Sequence, residues 1–237
     1  MTVHLGIVEQ EADAPAGLLE EWARERGHDV TILRATEIGA GPWPDPTEFD
    51  VIAPLGAEQS VARSKDPWIA PQIAFLREAH ERGVPVLGLC FGGQALAVAL
   101  GGTAGWAPEP EIGWLDLEAT DGHGFPSGPW FAWHEDAFTL PPGAEELART
   151  ACCPHAFRVG RSVGLQFHPE ATPEIIEGWI RDGRATLARR HIDADALGAQ
   201  TRADAAAQRE RAFALFDAIA AGWTDDRRTT VQSGGAD

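Results

Sequence analysis

The chain has no tyrosine, only three cysteines, and 19 lysines and arginines set against 36 aspartates and glutamates. Each scarcity narrows the field. A formal charge of −17 weighs against a surface built for nucleic acid or an anionic membrane, since both partners carry the same sign. No apolar run approaches the length of a bilayer span. Three cysteines do not form an even framework of spaced pairs, so a reducing, cytoplasmic setting is expected. The opening residues Met1 to Val8 lack the basic stretch of a signal peptide and read directly as a strand.

What is present fits a globular protein. At 237 residues and 44% hydrophobic content the chain is long enough to bury a substantial core. Short apolar strands are expected at 3–8, 28–33, 50–55 and 84–89, alternating with helices at 14–26, 68–82 and 94–100, each closed by glycine. Apolar strands without alternation imply a mostly parallel sheet flanked by helices on both faces. Residues 103–168 change character, with short strands expected at 113–118 and 157–167, the latter turning at Gly160-Arg161. These read as antiparallel additions to the same sheet system. Helices are expected at 173–190 and 203–222, the second packed on its own chain. The whole reads as a single domain over 1–224 with a polar, disordered tail at 225–237.

One segment joins a buried strand to a helix through small residues: Gly88-Leu89-Cys90-Phe91-Gly92-Gly93-Gln94. A sharp turn of this kind strains the backbone of the residue at its apex and leaves no room for flanking side chains. Cys90 would stand at a helix N-terminus, where dipole and free N–H groups favour a thiolate, and the Phe91 N–H could donate to a developing oxyanion. A free cysteine after an apolar strand is also a common packing residue. The motif by itself leaves both readings open.

Farther along, Gln166-Phe167-His168-Pro169-Glu170 follows an expected strand. Two positions apart in extended chain, His168 and Glu170 would leave on the same side, with Pro169 stiffening the spacing. A carboxylate beside an imidazole sets its tautomer and stabilises the imidazolium, so Cys90, His168 and Glu170 form a candidate nucleophile–base–orienter set. His-x-Glu also occurs in zinc deaminases, but no cysteine follows residue 153 to complete their downstream Cys-x-x-Cys. A metal site from His123, His134, His155 and His168 has no recognisable ligand spacing, and none is expected. Cys152 and Cys153 read as structural, and the nine tryptophans as core and pocket wall.

Taken together these motifs resemble the class I glutamine amidotransferases. Gly88, Cys90, Gly92 and Gln94 match that family's nucleophile motif, and His168, Pro169 and Glu170 its closing motif. The resemblance runs from about residue 3 to 180. It is strongest to a stand-alone group similar to the glutaminase domain of GMP synthase, through Gly56-Ala57, Pro67-Trp68, Trp133-His134-Glu135-Asp136 and Leu140-Pro141-Pro142-Gly143. It implies a flavodoxin-like α/β fold and hydrolysis of the γ-amide of glutamine through a Cys90 thioester, releasing glutamate and ammonia without metal, nucleotide or organic cofactor. It further implies a second oxyanion donor at Gly56-Ala57, a substrate contact from Gln94, and a pocket position for His134, which its aromatic neighbours alone would make a core histidine. The sequence departs from the family at Ala57, where a second glycine is usual, at Glu58, where proline is, and at His155, where relatives often carry glutamine. A positive φ at position 57 would disfavour alanine. His155 reads as either a pocket or a surface residue. The resemblance implies a separate synthetase or acceptor subunit. The rivals are a stand-alone γ-glutamyl amide or peptide hydrolase and a non-catalytic binding or regulatory subunit with the same fold.

Overall fold

A computed structural model of the chain describes residues 2–120 and 125–223. The expected tail at 225–237 and His123 lie outside the described residues. β1 (His4–Glu9) is the centre of the first half of the sheet, paired in parallel with β2 (Asp29–Arg34) on one side and β3 (Val51–Pro54) on the other. Between them α1 (Gly17–Glu25) buries Leu18, Leu19, Trp22 and Ala23 and ends before Gly27, whose φ of +71° only glycine adopts readily. A short helix, α2 (Ala35–Ile38), follows β2.

The sheet continues through a single parallel bridge between Ile52 and Val86, supported by the Ile52 N–H donating to the Pro85 carbonyl at 3.0 Å. α3 (Ile69–Glu81) leads to β4 (Leu87–Leu89), which runs into α4 (Phe91–Ala99). Beyond them lie β5 (Ala104–Leu115), β6 (Glu118–Ala119), β7 (Trp130–Phe138), β8 (Glu145–Arg149), β9 (Pro154–Val159) and β10 (Ser162–Leu165). β10 pairs in parallel with β4, while β9, β8 and β6 add antiparallel. The order across the sheet is therefore β2-β1-β3-β4-β10-β9-β8-β6, parallel in its first five strands and antiparallel at the far edge. The expected mostly parallel α/β architecture is what the chain adopts.

One part of the expectation needs correction. β5 and β7 do not extend this sheet but form a two-stranded ribbon of their own. Its register shifts between Trp106 and Glu111, the stretch that carries Pro108 and Pro110. Each proline removes a ladder donor, so regular pairing stops there and resumes one bulge later.

Two apolar clusters cover the faces of the sheet. Leu18, Leu19 and Trp22 of α1 meet Phe213 and Phe216 on one side, and Phe75, Leu76, Phe91 and Leu96 of α3 and α4 fill the other. Phe213 and Phe216 belong to the last helix, which packs on its own chain as expected but starts earlier. After α5 (Pro173–Asp182) and α6 (Arg184–Arg189), α7 spans Ala194–Ala221. Its start is set by Asp193, whose carboxylate accepts from the N–H groups of Asp195 and Ala196. The expected helix at 173–190 breaks at Gly183, where a side chain would strike the Trp133 ring.

Candidate active site

Cys90 occupies the joint between β4 and α4 with φ of 51° and ψ of −107°, a conformation costly for any residue with a side chain. The neighbouring glycines explain how the joint closes. A Cβ at Gly88 would overlap the Gly92 carbonyl, one at Gly92 would overlap the Pro54 carbonyl, and one at Gly93 would overlap the Leu165 carbonyl. The Cys90 N–H donates to Leu165 O at 2.8 Å and the Gly92 N–H to Leu55 O at 3.0 Å, fastening both sides of the turn to the adjoining strands. α4 begins at once with Phe91 rather than at Gln94. Phe91 takes the first helical position, whose N–H has no acceptor within the helix.

His168 lies beyond the end of β10, not in extended strand as the spacing suggested. It still reaches Glu170: Nδ1 donates to Oε1 at 2.7 Å, and both side chains are buried. The turn achieves this because the backbone is held at both ends. The His168 N–H donates to Phe131 O at 2.8 Å, and the Glu170 carbonyl accepts from the Leu18 N–H at 2.8 Å. Gly17, at φ of +46°, lets α1 approach that carbonyl. With Nδ1 engaged by Glu170, Nε2 is the ring nitrogen left to interact with Cys90. Burial pulls the His168 pKa down most strongly, but the charges of Cys90 and Glu170 and their hydrogen bonds outweigh it and raise it to about 10. Trp179 stands edge-on to the imidazole, ring centroids 4.8 Å apart.

Gly56 closes the group. A Cβ there would lie 2.9 Å from His168 Cε1 and 3.8 Å from the Cys90 Cβ, so the end of β3, the elbow and the histidine meet at this point. Among the described residues other than glycine, positive φ occurs at Cys90 and His191, and Ala57 is not among them. The strain anticipated for alanine at 57 is absent. Gln94 is buried and donates from Nε2 to the Asp136 carbonyl at 2.9 Å and to Gln166 Oε1 at 3.3 Å. Gln166 in turn points Nε2 at the Cys90 sulfur, 3.7 Å away.

Cys90, His168, Gln94, Gly56 and Ala57 line a cavity of about 440 Å³ walled by Trp133 and Trp179. Glu11, Asp13, Glu58 and Asp182 stand around it, and burial followed by the charges of Glu11, Asp13 and Asp182 raises the Glu58 pKa. Arg63 pairs with Asp136 at 2.7 Å. Trp133 on β7 and Trp179 on α5 fit the reading of the tryptophans as core and pocket wall. Gln166 was missed as a site residue, although it stands two positions before the closing motif; the place of Trp179 depends on the packing of α5, which leaves no local signal.

His134 also touches this cavity, yet its imidazole turns away into a second buried group with Glu111, Cys153 and His155. His134 Nδ1 donates to the Asp136 carbonyl at 3.0 Å. Glu111 Oε2 is 2.8 Å from His155 Nε2, 3.4 Å from His134 Nε2 and 3.4 Å from Cys153 Sγ. Burial holds His134 below the usual histidine pKa. His155 is fully buried, so the surface reading of this residue is overturned. Of the histidines weighed together from the sequence, His134 and His155 do meet, while His168 belongs to the elbow.

The model of the family glutamine amidotransferase class-I matches residues 18–180. The glutamine amidotransferase-like protein YfeJ of Salmonella typhimurium is 31% identical over 202 residues, covering 79% of this chain and 83% of the relative. The glutamine-hydrolysing GMP synthase of Aeropyrum pernix is 35% identical over 179 residues, which cover 70% of this chain but only 33% of that enzyme. A solved glutamine amidotransferase from Thermotoga maritima superposes with a TM-score of 0.82 at 24% identity, over 92% of this chain and 98% of the other. One from Methylobacillus flagellatus gives 0.84 at 23%, over 94% and 96%. The chain belongs to the class I glutamine amidotransferases. Among the described residues no helix is long and apolar enough to cross a membrane.

Proposed function

We propose that the chain is a glutaminase that hydrolyses the γ-amide of glutamine through a thioester on Cys90 and delivers ammonia to a separate acceptor enzyme. The observation that carries this is a strained Cys90 at a helix N-terminus lining one cavity together with His168, which is paired with the buried Glu170. The Cys90 sulfur attacks the amide carbon, and its proton resides on His168, whose imidazolium is stabilised by Glu170. The N–H groups of Phe91 and of the Gly56-Ala57 segment receive the oxyanion, each worth roughly 10²–10³ in rate. His168 protonates the departing ammonia, then takes a proton from the water that cleaves the thioester to glutamate. Gln166 holds the sulfur in place and Gln94 the substrate's amino-acid end. The described part of the chain, residues 2–120 and 125–223, carries this half-reaction as a single unit.

The test is glutamate release from glutamine, together with mass spectrometry after treatment with an electrophilic glutamine analogue. The label belongs on Cys90, is lost in Cys90→Ala and forms more slowly in His168→Ala. Label elsewhere, or none, sinks the mechanism. A second reading rests on the acidic rim of Glu11, Asp13, Glu58 and Asp182, which suits a γ-glutamyl amide whose nitrogen bears a cationic group. Faster glutamate release from such amides than from glutamine would replace the first reading with the second.

A further inference from the structure

We propose that Glu111, His134, Cys153 and His155 form a buried binding site for zinc. Four potential ligand atoms, one from each residue, lie within 4.8 Å of one another. They come from three strands and one loop: Glu111 on β5 opposite His134 on β7, His155 on β9, and Cys153 just before it. A tetrahedral zinc with sulfur and nitrogen bonds of 2.0–2.3 Å holds its ligands about 3.3–3.8 Å apart. The three contacts to Glu111 Oε2, from 2.8 to 3.4 Å, already fall close to that spacing.

The orientation of His134 is the second, independent observation. Its Nδ1 can only donate to the Asp136 carbonyl, which leaves a lone pair on Nε2 in the neutral ring. That lone pair faces a carboxylate oxygen, and Nε2 has no hydrogen-bond partner although it is buried. Two acceptors aimed at one another inside a protein repel unless a cation lies between them. A ring N–H held by a backbone carbonyl is also how metal-bound histidines are oriented. Charge balances as well: the Glu111 carboxylate and a Cys153 thiolate offset the two positive charges of zinc, and both imidazoles are neutral. Binding releases the Cys153 thiol proton to solvent. The sulfur, nitrogen and oxygen donor set favours zinc over magnesium or calcium, which take oxygen alone.

The site shares the Asp136 carbonyl with Gln94, so an ion there would fix the β7 backbone that borders the cavity. The experiment is a titration of the metal-stripped full chain, purified without a metal-binding tag, with cobalt(II) and then zinc. The expected result is one equivalent of cobalt with tetrahedral absorption and a thiolate-to-cobalt charge-transfer band, displaced stoichiometrically by zinc. The band should persist in Cys90→Ala and vanish in Cys153→Ser, and His155→Gln should weaken cobalt binding by more than the ~10–100-fold lost with an outer-shell partner. Wild-type protein that is folded by circular dichroism yet shows no charge-transfer band overturns the proposal. So does a band lost in Cys90→Ala and kept in Cys153→Ser, which would put the ion at the elbow. Because the wild-type spectrum carries the test, a variant that fails to fold does not blunt it.

Discussion

Among the described residues a cysteine, histidine and glutamate meet in two groups, and their backbones differ more than their side chains do. Around Cys90 the chain is strained, three nearby glycines admit close backbone approach, a helix begins at the sulfur, and the imidazole opens onto a cavity. Around Cys153 the partners project from paired strands, and the carboxylate rather than the sulfur is the hub. The same residue types therefore stand in different settings: Cys90 lines a cavity, whereas Cys153 is enclosed among polar side chains. Burial and the Glu111 charge push the Cys153 thiol pKa upward, which disfavours a free nucleophile there.

The sharpest way to break this contrast is to remove each elbow residue in turn. Cys90→Ala should lower glutamate release by at least about 10⁴-fold, with the fold unchanged by circular dichroism. In the wild-type chain an electrophilic glutamine analogue should modify Cys90 and leave Cys152 and Cys153 untouched. Modification of Cys153 at a comparable rate would erase the distinction. Glu170→Gln keeps the shape of the pair but loses the charge that stabilises the imidazolium, so kcat should fall by about 10²–10⁴-fold with KM nearly constant. A change confined to KM would mean that Glu170 shapes the pocket and does not orient the base.

Gly56→Ala probes the meeting point itself. The added methyl would lie 2.9 Å from His168 Cε1, so the ring or the strand end must shift. Displacing a base by a fraction of an ångström to an ångström costs up to about 10²-fold, and a loss of roughly 10–10²-fold in kcat is expected. Full activity in this variant would show that the imidazole works from another position.

Protonation gives a further comparison. The folded pKa of His168 is raised from 6.5 to about 10. A group raised on folding contributes stability that is complete below its unfolded value and is lost as the pH climbs through the folded one. The gap in thermal midpoint between wild type and His168→Gln should therefore shift against the wild type from about pH 6.5 to about pH 10. A gap that stays constant across that window would mean that the Cys90 and Glu170 charges do not hold the proton.

These differences also explain what could be seen in the sequence. The elbow is local: strand, nucleophile, glycines and helix start occupy seven consecutive residues from Gly88 to Gln94, and each glycine answers a clash within one layer of packing. His168 and Glu170 are two positions apart in sequence, so their pairing was legible even though the backbone there turns instead of running straight. Glu111 had no such signal. Its position opposite His134 depends on a register set after Pro108 and Pro110 interrupt the β5 ladder, and its contact with His155 requires the ribbon to dock on β9. Neither follows from periodicity. The early start of α7 was hidden in a similar way, since Gly198 and the polar residues around it weaken the helical pattern that the Asp193 cap secures.

The smallest effect is expected at Ala57, where the sequence departs from its family. Alanine would be a defect only if the backbone needed positive φ, and it does not. The side chain packs against the cluster that contains Phe91, so it contributes a little apolar contact beside the elbow. Ala57→Gly should then cost stability, by about 0.5–1 kcal/mol, through added freedom in the unfolded chain and the lost methyl. Glutamate release should stay within about threefold, because the backbone N–H proposed to receive the oxyanion is unchanged and one hydrogen-bond donor is worth far more than that. A substantial gain in activity from the glycine variant would show that the strand end is held off its productive geometry by the alanine methyl, and that the departure from the family pattern is functional after all.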